Sequence, residues 1–468
     1  MEYAQDIKQE SSFFIQFNEL KKQVPKVALM NDNNISSENC EYTYDILYCK
    51  DCYMTMEAIS DRLTHYSFCV HRSENMVDCT IVYDSKNCIE CIDSYNLYAC
   101  VYVQYSNECK NVMFAWDCIW CSDCIWCVGL QNMQYCVFNK QVTKEEYITY
   151  KEKLLYDILQ WTSDFYQKWK AFLYQQTKLT SNQVVSERAY GNNLLHSSDI
   201  FFGFELSNCQ KSRYMYNVLD AHNCYDIDVS TNIDHCLECV TPDLSNNVLF
   251  STFCSSCHWV YYSEMCHRCT NCFWCVWLKD KQYCILNKQY TKDEYEGKVV
   301  QIISWMKETS DWWEYFPAWT GSYPYNFSDA MQRFWLTDSE AKEKWYTRSY
   351  EEISINIPQN MDVIDAKDLD AFVDGIDNDI LNKAIICETS WRPFRIIASE
   401  LELYHKMTFP FPRKHPDIRH QKRLAKRPGR ELYLRKCDKT GEEILSVYPE
   451  WVPFKVYSEE AYRQEIYG

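Results

Sequence analysis

From Met76 to Cys136 every third residue, 21 positions in all, is Cys, Ser, Ala, Met, Val or Leu. From Cys209 to Leu278 the same spacing picks out 24 residues, again without a charge or an aromatic ring. The two intervening positions carry the Asp, Glu, Lys, Asn, Tyr and Trp. An α-helix buries positions at a period of 3.6 and a strand at a period of 2, so a strict 3 held this long fits neither. It fits a narrow coil that turns a little at each step, with small side chains inside because the bore is tight. Collagen shares the period but needs glycine at each third place, and only 9 of 468 residues are glycine.

The rhythm occurs twice. A shift of 148 residues lays Cys88, Cys91, Cys109, Cys118, Cys121, Cys124, Cys127 and Cys136 on Cys236, Cys239, Cys257, Cys266, Cys269, Cys272, Cys275 and Cys284 without a gap. Residues 128–147 then match 276–295 at 12 of 20 positions. The chain is a tandem duplication. In the second copy Cys209, Cys224, Cys239, Cys254, Cys269 and Cys284 recur every 15 residues, with Asn217, Asn232 and Asn247 on the same beat. This predicts coils of 15 residues with five inward side chains, and an asparagine bend once per coil, since Asn tolerates left-handed backbone.

The expected fold is mainly β: two tandem narrow β-solenoid units with helical caps and a small α+β carboxy-terminal module. The boundaries read as an amino-terminal helical segment (1–39), solenoid 1 (40–141), a helical cap or linker (142–190), solenoid 2 (191–289), a helical segment (290–350), an acidic linker (351–386) and the final module (387–468). Residues 144–177 lack Gly and Pro and carry an apolar helical face. Residues 362–379 hold seven aspartates. Asp370, Asp374 and Gly375 fall short of a calcium loop, because Phe372 and Leu381 occupy ligand positions.

No apolar run approaches the ~20 residues that span a bilayer. Met1 to Phe14 lacks the basic start and apolar stretch of a secretory signal, so the expected compartment is the cytoplasm, with no membrane partner. There the 27 cysteines should be reduced or metal-bound. Three uses compete: small soft core residues, metal ligands, or disulfides between stacked coils. Cys118, Cys121, Cys124 and Cys127, and likewise Cys266, Cys269, Cys272 and Cys275, form C-x2-C-x2-C-x2-C, a spacing that suits an iron–sulfur cluster or zinc. The three-residue period produces the same spacing automatically, so no cofactor is the first expectation.

Between Lys406 and Lys439 there are 12 Lys or Arg against 3 Asp or Glu, on a chain of net charge −18. Arg413, Lys414, Arg419, Lys422, Arg423, Lys426, Arg427 and Arg430 are candidate RNA or phosphate contacts. The competing reading is a strip that docks on the protein's own acidic portion. No phosphate loop, HExxH or GxSxG set is present, so an enzyme is not expected.

Period-3 cysteine coils, a YCxxNKQxTKxEY tail, and an end reading PFRIIxxELxxY, then PRxHPDxRH, then CDxxG, together resemble a family of uncharacterised bacterial proteins. That family joins cysteine-rich repeats to carboxy-terminal zinc-ribbon or treble-clef-like modules. The resemblance implies a zinc set in the last module of which Cys437 alone survives, with Thr440, Ser458 and Ala461 at the other places. The preceding module keeps Cys387 and offers His415, with Ser390 and Ile418 at the remaining two. A structural zinc needs four ligands, so the last module is expected to be metal-free. The resemblance also implies glycine where this chain has Trp126, Trp274, Trp277, Trp313, Trp345 and Trp391. Gly129 faces Trp277 across the duplication, and the expectation is a source organism that reads UGA as glycine. The functional expectation is a repeat-built interaction scaffold with an unknown protein partner. The alternatives are a metal or thiol-redox protein and an RNA-binding one.

Overall fold

A computed structural model describes residues 3–8, 11–26, 35–159, 163–207, 209–214, 216–219, 228–231, 244–328, 330–331, 334, 336–349, 357–369 and 378–466. The chain is a β-solenoid protein in which both cysteine-rich segments coil. The third-residue positions face inward: Met76, Cys79, Cys88, Cys100, Cys124, Cys254, Cys272 and Cys284 are each fully buried. Period 3 therefore reads out the inside of a tube.

The coil has 12 residues, not 15. Parallel strands pair at that offset throughout solenoid 1, Tyr44 with Met56, Met56 with Phe68 and Phe68 with Thr80. Solenoid 2 repeats it, Asn246 with His258 and His258 with Thr270. Each layer thus holds four inward side chains rather than five. The cause lies in the backbone. From Asn39 to Asn132 every third non-glycine residue has a φ between 47° and 59°. One left-handed residue per triplet turns a corner, and four corners close the loop. The 15-residue beat of Cys254, Cys269 and Cys284 is five triplets, so it steps one column sideways per coil. Nor is the bend reserved for asparagine. Asn247 sits at one, but so do Tyr102, Phe114 and Trp120, at roughly 1–2 kcal/mol each for a side chain with a Cβ. Cys224, Cys239 and Asn232 lie outside the described residues, as does the side chain of Asn217.

Hydrogen bonding explains the choice of bore residues. In a triplet the first residue donates its N–H to the next coil and the corner residue donates to the previous one, as Glu38 does to Cys49 O (2.8 Å) and Asp51 to Glu38 O (3.0 Å). In many coils the inward residue's N–H points into the bore, where an unpaired donor is costly. Its acceptor is the side chain one coil earlier. Cys79 donates to Ser67, Ser85 to Ser73, Ser106 to Ser94, Cys118 to Ser106 and Cys275 to Ser263, all at 2.9–3.1 Å. Asp61 takes the same role for Ser73 at 2.8 Å, and burial raises its carboxyl to a pKa of about 9, so it stays protonated at neutral pH. The thiols donate in turn to carbonyls two residues back and nine ahead, as Cys91 does to Ile89 and Cys100. Small size is one requirement; at the Ser and Cys positions the polar atom at the tip is the other.

Around the tubes lie helices α1 (Phe13–Gln23), α2 (Lys144–Leu159), α3 (Ser163–Gln175), α4 (Lys292–Glu308), α5 (Asp338–Glu343), α6 (Ala398–Met407), α7 (Pro416–Leu424) and α8 (Glu459–Ile466). The duplication extends into the ends of the solenoids. Asn139 closes on Val128 through two 2.8 Å bonds, and Asn287 on Val276 through bonds of 2.9 and 2.8 Å. Tyr135 meets Tyr147 of α2 at 5.7 Å, and Tyr283 meets Tyr295 of α4 at 5.7 Å. Each helix packs on the last coil of its own unit.

Two boundaries move. Solenoid 2 begins earlier than 191, because Gln183–Val184 already pairs in parallel with Leu194–Leu195. The acidic segment is partly structural: Asp362–Asp365 pairs with Lys383–Ile386, which pairs with Pro393–Phe394. Ile364 and Ile385 join a buried cluster there, so apolar alternation outweighs the aspartates. Asp370 to Gly375 lie outside the described residues.

Candidate functional site

Three constellations contain groups capable of chemistry. The first is the thiol tetrad. Because a coil has four inward positions, Cys118, Cys121, Cys124 and Cys127 are the complete lining of one layer, and Cys266, Cys269, Cys272 and Cys275 that of its counterpart. Cys121 lies within hydrogen-bond reach of Cys109, Cys118 and Cys124, as Cys269 does of Cys257, Cys266 and Cys272. The tetrad is also committed to the backbone: Cys121 donates to Ile119 O (3.5 Å) and Leu130 O (3.4 Å), and Cys124 to Ser122 O (3.2 Å) and Met133 O (3.7 Å). Among the described residues, no group of three or more His, Cys, Asp or Glu is arranged to hold a metal ion, and every described cysteine is buried and outside any disulfide.

The second comprises two matching turns in the final module. Ser390 N–H donates to Cys387 Sγ at 3.4 Å, and Thr440 N–H to Cys437 Sγ at 3.5 Å. Ser458, at the place of another lost ligand, donates its N–H to Cys437 Sγ at 3.4 Å, and Ala461 shares a buried cluster with Cys437. Burial pushes both thiols up, but these donors outweigh it and bring Cys387 to about 6 and Cys437 to about 7. His415 instead caps α7, accepting the Asp417 N–H at 3.2 Å, and burial lowers its ring to about 4. Of the implied zinc residues, then, Cys387 and Cys437 each sit inside a shell of amide donors.

The third is the basic strip, and the structure turns most of it inward. Arg419 and Arg423, both buried, converge on Asp78 of solenoid 1. Arg423 further donates to Thr80 Oγ1 (3.2 Å) and Tyr66 O (3.0 Å). Arg427 bridges Asp93 of solenoid 1 (2.8 Å) and Glu205 of solenoid 2, and Arg430 reaches Glu205 at 3.4 Å. Lys414 pairs with Glu388 and Lys426 with Glu90, at 3.3 and 3.9 Å, while Arg413 donates to Leu369 O. Of the eight candidate nucleic-acid contacts only Lys422 is exposed rather than half-buried or buried. The strip is a clasp for the protein's own carboxylates.

Sequence reasoning missed two features because each joins residues far apart in the chain. Ser399 Oγ lies 2.9 Å from His65 Nε2, which would suit a nucleophile and its base. His65 Nδ1 has no partner to orient the ring, however, and burial lowers its pKa to about 3, too low for an effective base. Lys178 is buried, 4.1 Å above the Trp116 ring, and its Nζ has no hydrogen-bond partner. Burial lowers it to about 7 despite nearby Asp117, itself raised to about 6 by burial against a 2.5 Å bond from Tyr462. No sequence motif marks either site.

One wall of solenoid 1 is exposed along its length, beside another that carries exposed Lys50, Arg62, Lys86, Tyr98 and Lys110. Leu47 and Tyr48, Ile59 and Ser60, His71 and Arg72, Tyr83 and Asp84, Tyr95 and Asn96, Asn107 and Glu108, and Ile119 and Trp120 occupy equivalent places in successive coils, each pair with at least one exposed member. A shallow groove of about 350 Å³ runs beside it, lined by residues including Arg72, Asp84, Lys86 and Tyr98. No protein-family model and no curated protein matches the chain. No described helix is long and apolar enough to cross a membrane.

Proposed function

We propose that this chain is a non-enzymatic interaction scaffold of the cytoplasm, related to the bacterial cysteine-rich repeat proteins that it resembles and ending in a zinc-ribbon-like module with most ligands lost. The carrying observation is the division of labour among the walls of solenoid 1. Two walls are covered by the final module through Asp78, Asp93 and a buried apolar cluster, whereas the wall from Leu47 to Trp120 keeps an exposed side chain in each of seven coils. A stack of seven coils at ~4.8 Å spacing makes it a flat face roughly 30 Å long. Tyr48 and Trp120 stand at its two ends, each more than 60% exposed, and aromatic residues on a rigid face are favoured anchors for a protein partner.

The test is cross-linking with mass spectrometry in the source cells. The expected result is inter-protein links concentrated on residues 47–120 of this wall, abolished by Tyr48→Glu with Tyr83→Glu. Links scattered evenly over the surface, or insensitive to both substitutions, would remove the reading.

A further inference from the structure

Tryptophan stands in this sequence at positions whose backbone is built for glycine. Outside the solenoids, in residues 292–468, five described non-glycine residues take a positive φ: Ser310, Trp313, Trp345, Trp391 and Thr408. Three are tryptophan, a bulky residue for which this conformation is a genuine outlier.

Internal comparison sharpens the point. The turns at Cys387 and Cys437 are the same structure. Trp391 N–H donates to Cys387 O (3.2 Å) as Gly441 N–H does to Cys437 O (2.9 Å), and Cys387 N–H meets Arg392 O (3.0 Å) as Cys437 N–H meets Glu442 O (2.8 Å). The left-handed fifth position is Gly441 at φ 76° in one and Trp391 at φ 59° in the other. The duplication gives a second such pair. Gly129 donates to Trp116 O and Trp277 to Glu264 O, each thirteen residues back, from φ values of 68° and 57°. After α5, Tyr346 N–H reaches back to Ala341 O (2.9 Å), which makes Trp345 the left-handed residue of a Schellman turn, where glycine is the usual occupant. None of the four indoles is buried: Trp277, Trp313, Trp345 and Trp391 are 40%, 50%, 78% and 66% exposed. Each therefore carries the backbone strain without the compensation of a filled core.

We infer that residues 277, 313, 345 and 391 are glycine in the protein made by its own cells, the codon written here as tryptophan being read there as glycine. The exposed tryptophans at these four places then drop out of any partner surface, while the open wall of solenoid 1 contains none of them.

The deciding experiment is peptide mass spectrometry of the full chain purified from the source organism. Glycine at all four positions is the expected result; tryptophan at 277 or 391, each with a glycine counterpart inside this same chain, would overturn the inference. A second measurement uses recombinant full-length protein. The chain carrying Trp277→Gly, Trp313→Gly, Trp345→Gly and Trp391→Gly should unfold several degrees above the tryptophan form, and an equal or lower midpoint would argue that these turns do not require glycine and would count against the inference.

Discussion

The two solenoids have the same bore and different coats. Solenoid 1 meets the final module through an apolar cluster that joins Val77, Ile89 and Val101 to Leu401, Tyr404 and Phe411, beside which lies a buried ionic layer, Asp78, Glu90 and Asp93 against the arginines and lysines of α7 and the segment after it. Solenoid 2 meets it through aromatic rings: Phe13 of α1 stacks on Trp274 at 4.3 Å and lies edge-on to Tyr262 at 5.0 Å, with the buried Lys21–Glu264 pair alongside. A duplicated chain was free to diverge only where backbone geometry did not dictate the residue. Inward positions must be small, and many also supply a polar atom to the bore, so they drift between Cys, Ser, Ala and Val. Outward positions face whatever segment happens to cover them, and there the copies differ.

The largest expected effect comes from cutting the ionic coat. Arg423→Ala leaves Asp78 short of a partner in a buried site and should cost about 3–5 kcal/mol, seen as a lowered urea midpoint, with hydrogen exchange rising in α7 and solenoid 1. Phe13→Ala should cost about 3 kcal/mol and loosen α1 and solenoid 2 while leaving α7 protected. If both variants open the same segments, the coats are one cooperative unit and the contrast fails.

A pH series separates the coats further. Lys178 has a folded pKa of about 7 against 10.5 unfolded, so the native state binds fewer protons between those values. The penalty for burying the ammonium is in full force below pH 7 and is relieved as pH rises towards 10.5, at up to about 1.4 kcal/mol per pH unit. Comparing wild type with Lys178→Met from pH 7 to 9 isolates this slope, and equal slopes would show that the amine is solvated. Asp117 works in the other direction. Its folded pKa of about 6 exceeds the unfolded value, so stability falls as pH climbs from about 4 to 6.

The smallest effects test the bore. Ser106→Ala removes the acceptor for Cys118 N–H and the donor to Gln104 O, at about 1–2 kcal/mol. Cys124→Ser keeps the donor and should cost less than about 1 kcal/mol. A Cys124→Ser penalty larger than that of Ser106→Ala would mean the thiol does something other than hydrogen-bond a carbonyl. Because solenoid 2 uses the same device at Ser263, Ser263→Ala should match Ser106→Ala, whatever the coats do.

How much was readable in advance divides along the same line. Inward facing, duplication and helical caps were legible because each is local or repeats in register. Coil length was not. Cysteine spacing reports how often a small residue is allowed, whereas the number of triplets in a turn depends on the angle of each corner, which no side chain announces. The thiol tetrad was legible as a motif, but only four-sided closure shows it to be one complete layer whose S–H groups serve the backbone.

The amino-acid order by itself determined a tube with a three-residue step, wound twice, because a bore too narrow for large groups leaves its mark on every third letter. Folding in three dimensions decided what lies against that tube. Arg427 sits between Asp93 and Glu205, and Ser399 beside His65, through contacts that span hundreds of residues. Charge along the chain announced a basic strip; whether that strip faced solvent or the protein's own carboxylates depended on where the coils carried Asp78 and Asp93. The desolvation of a buried arginine is offset only when such partners are already in place.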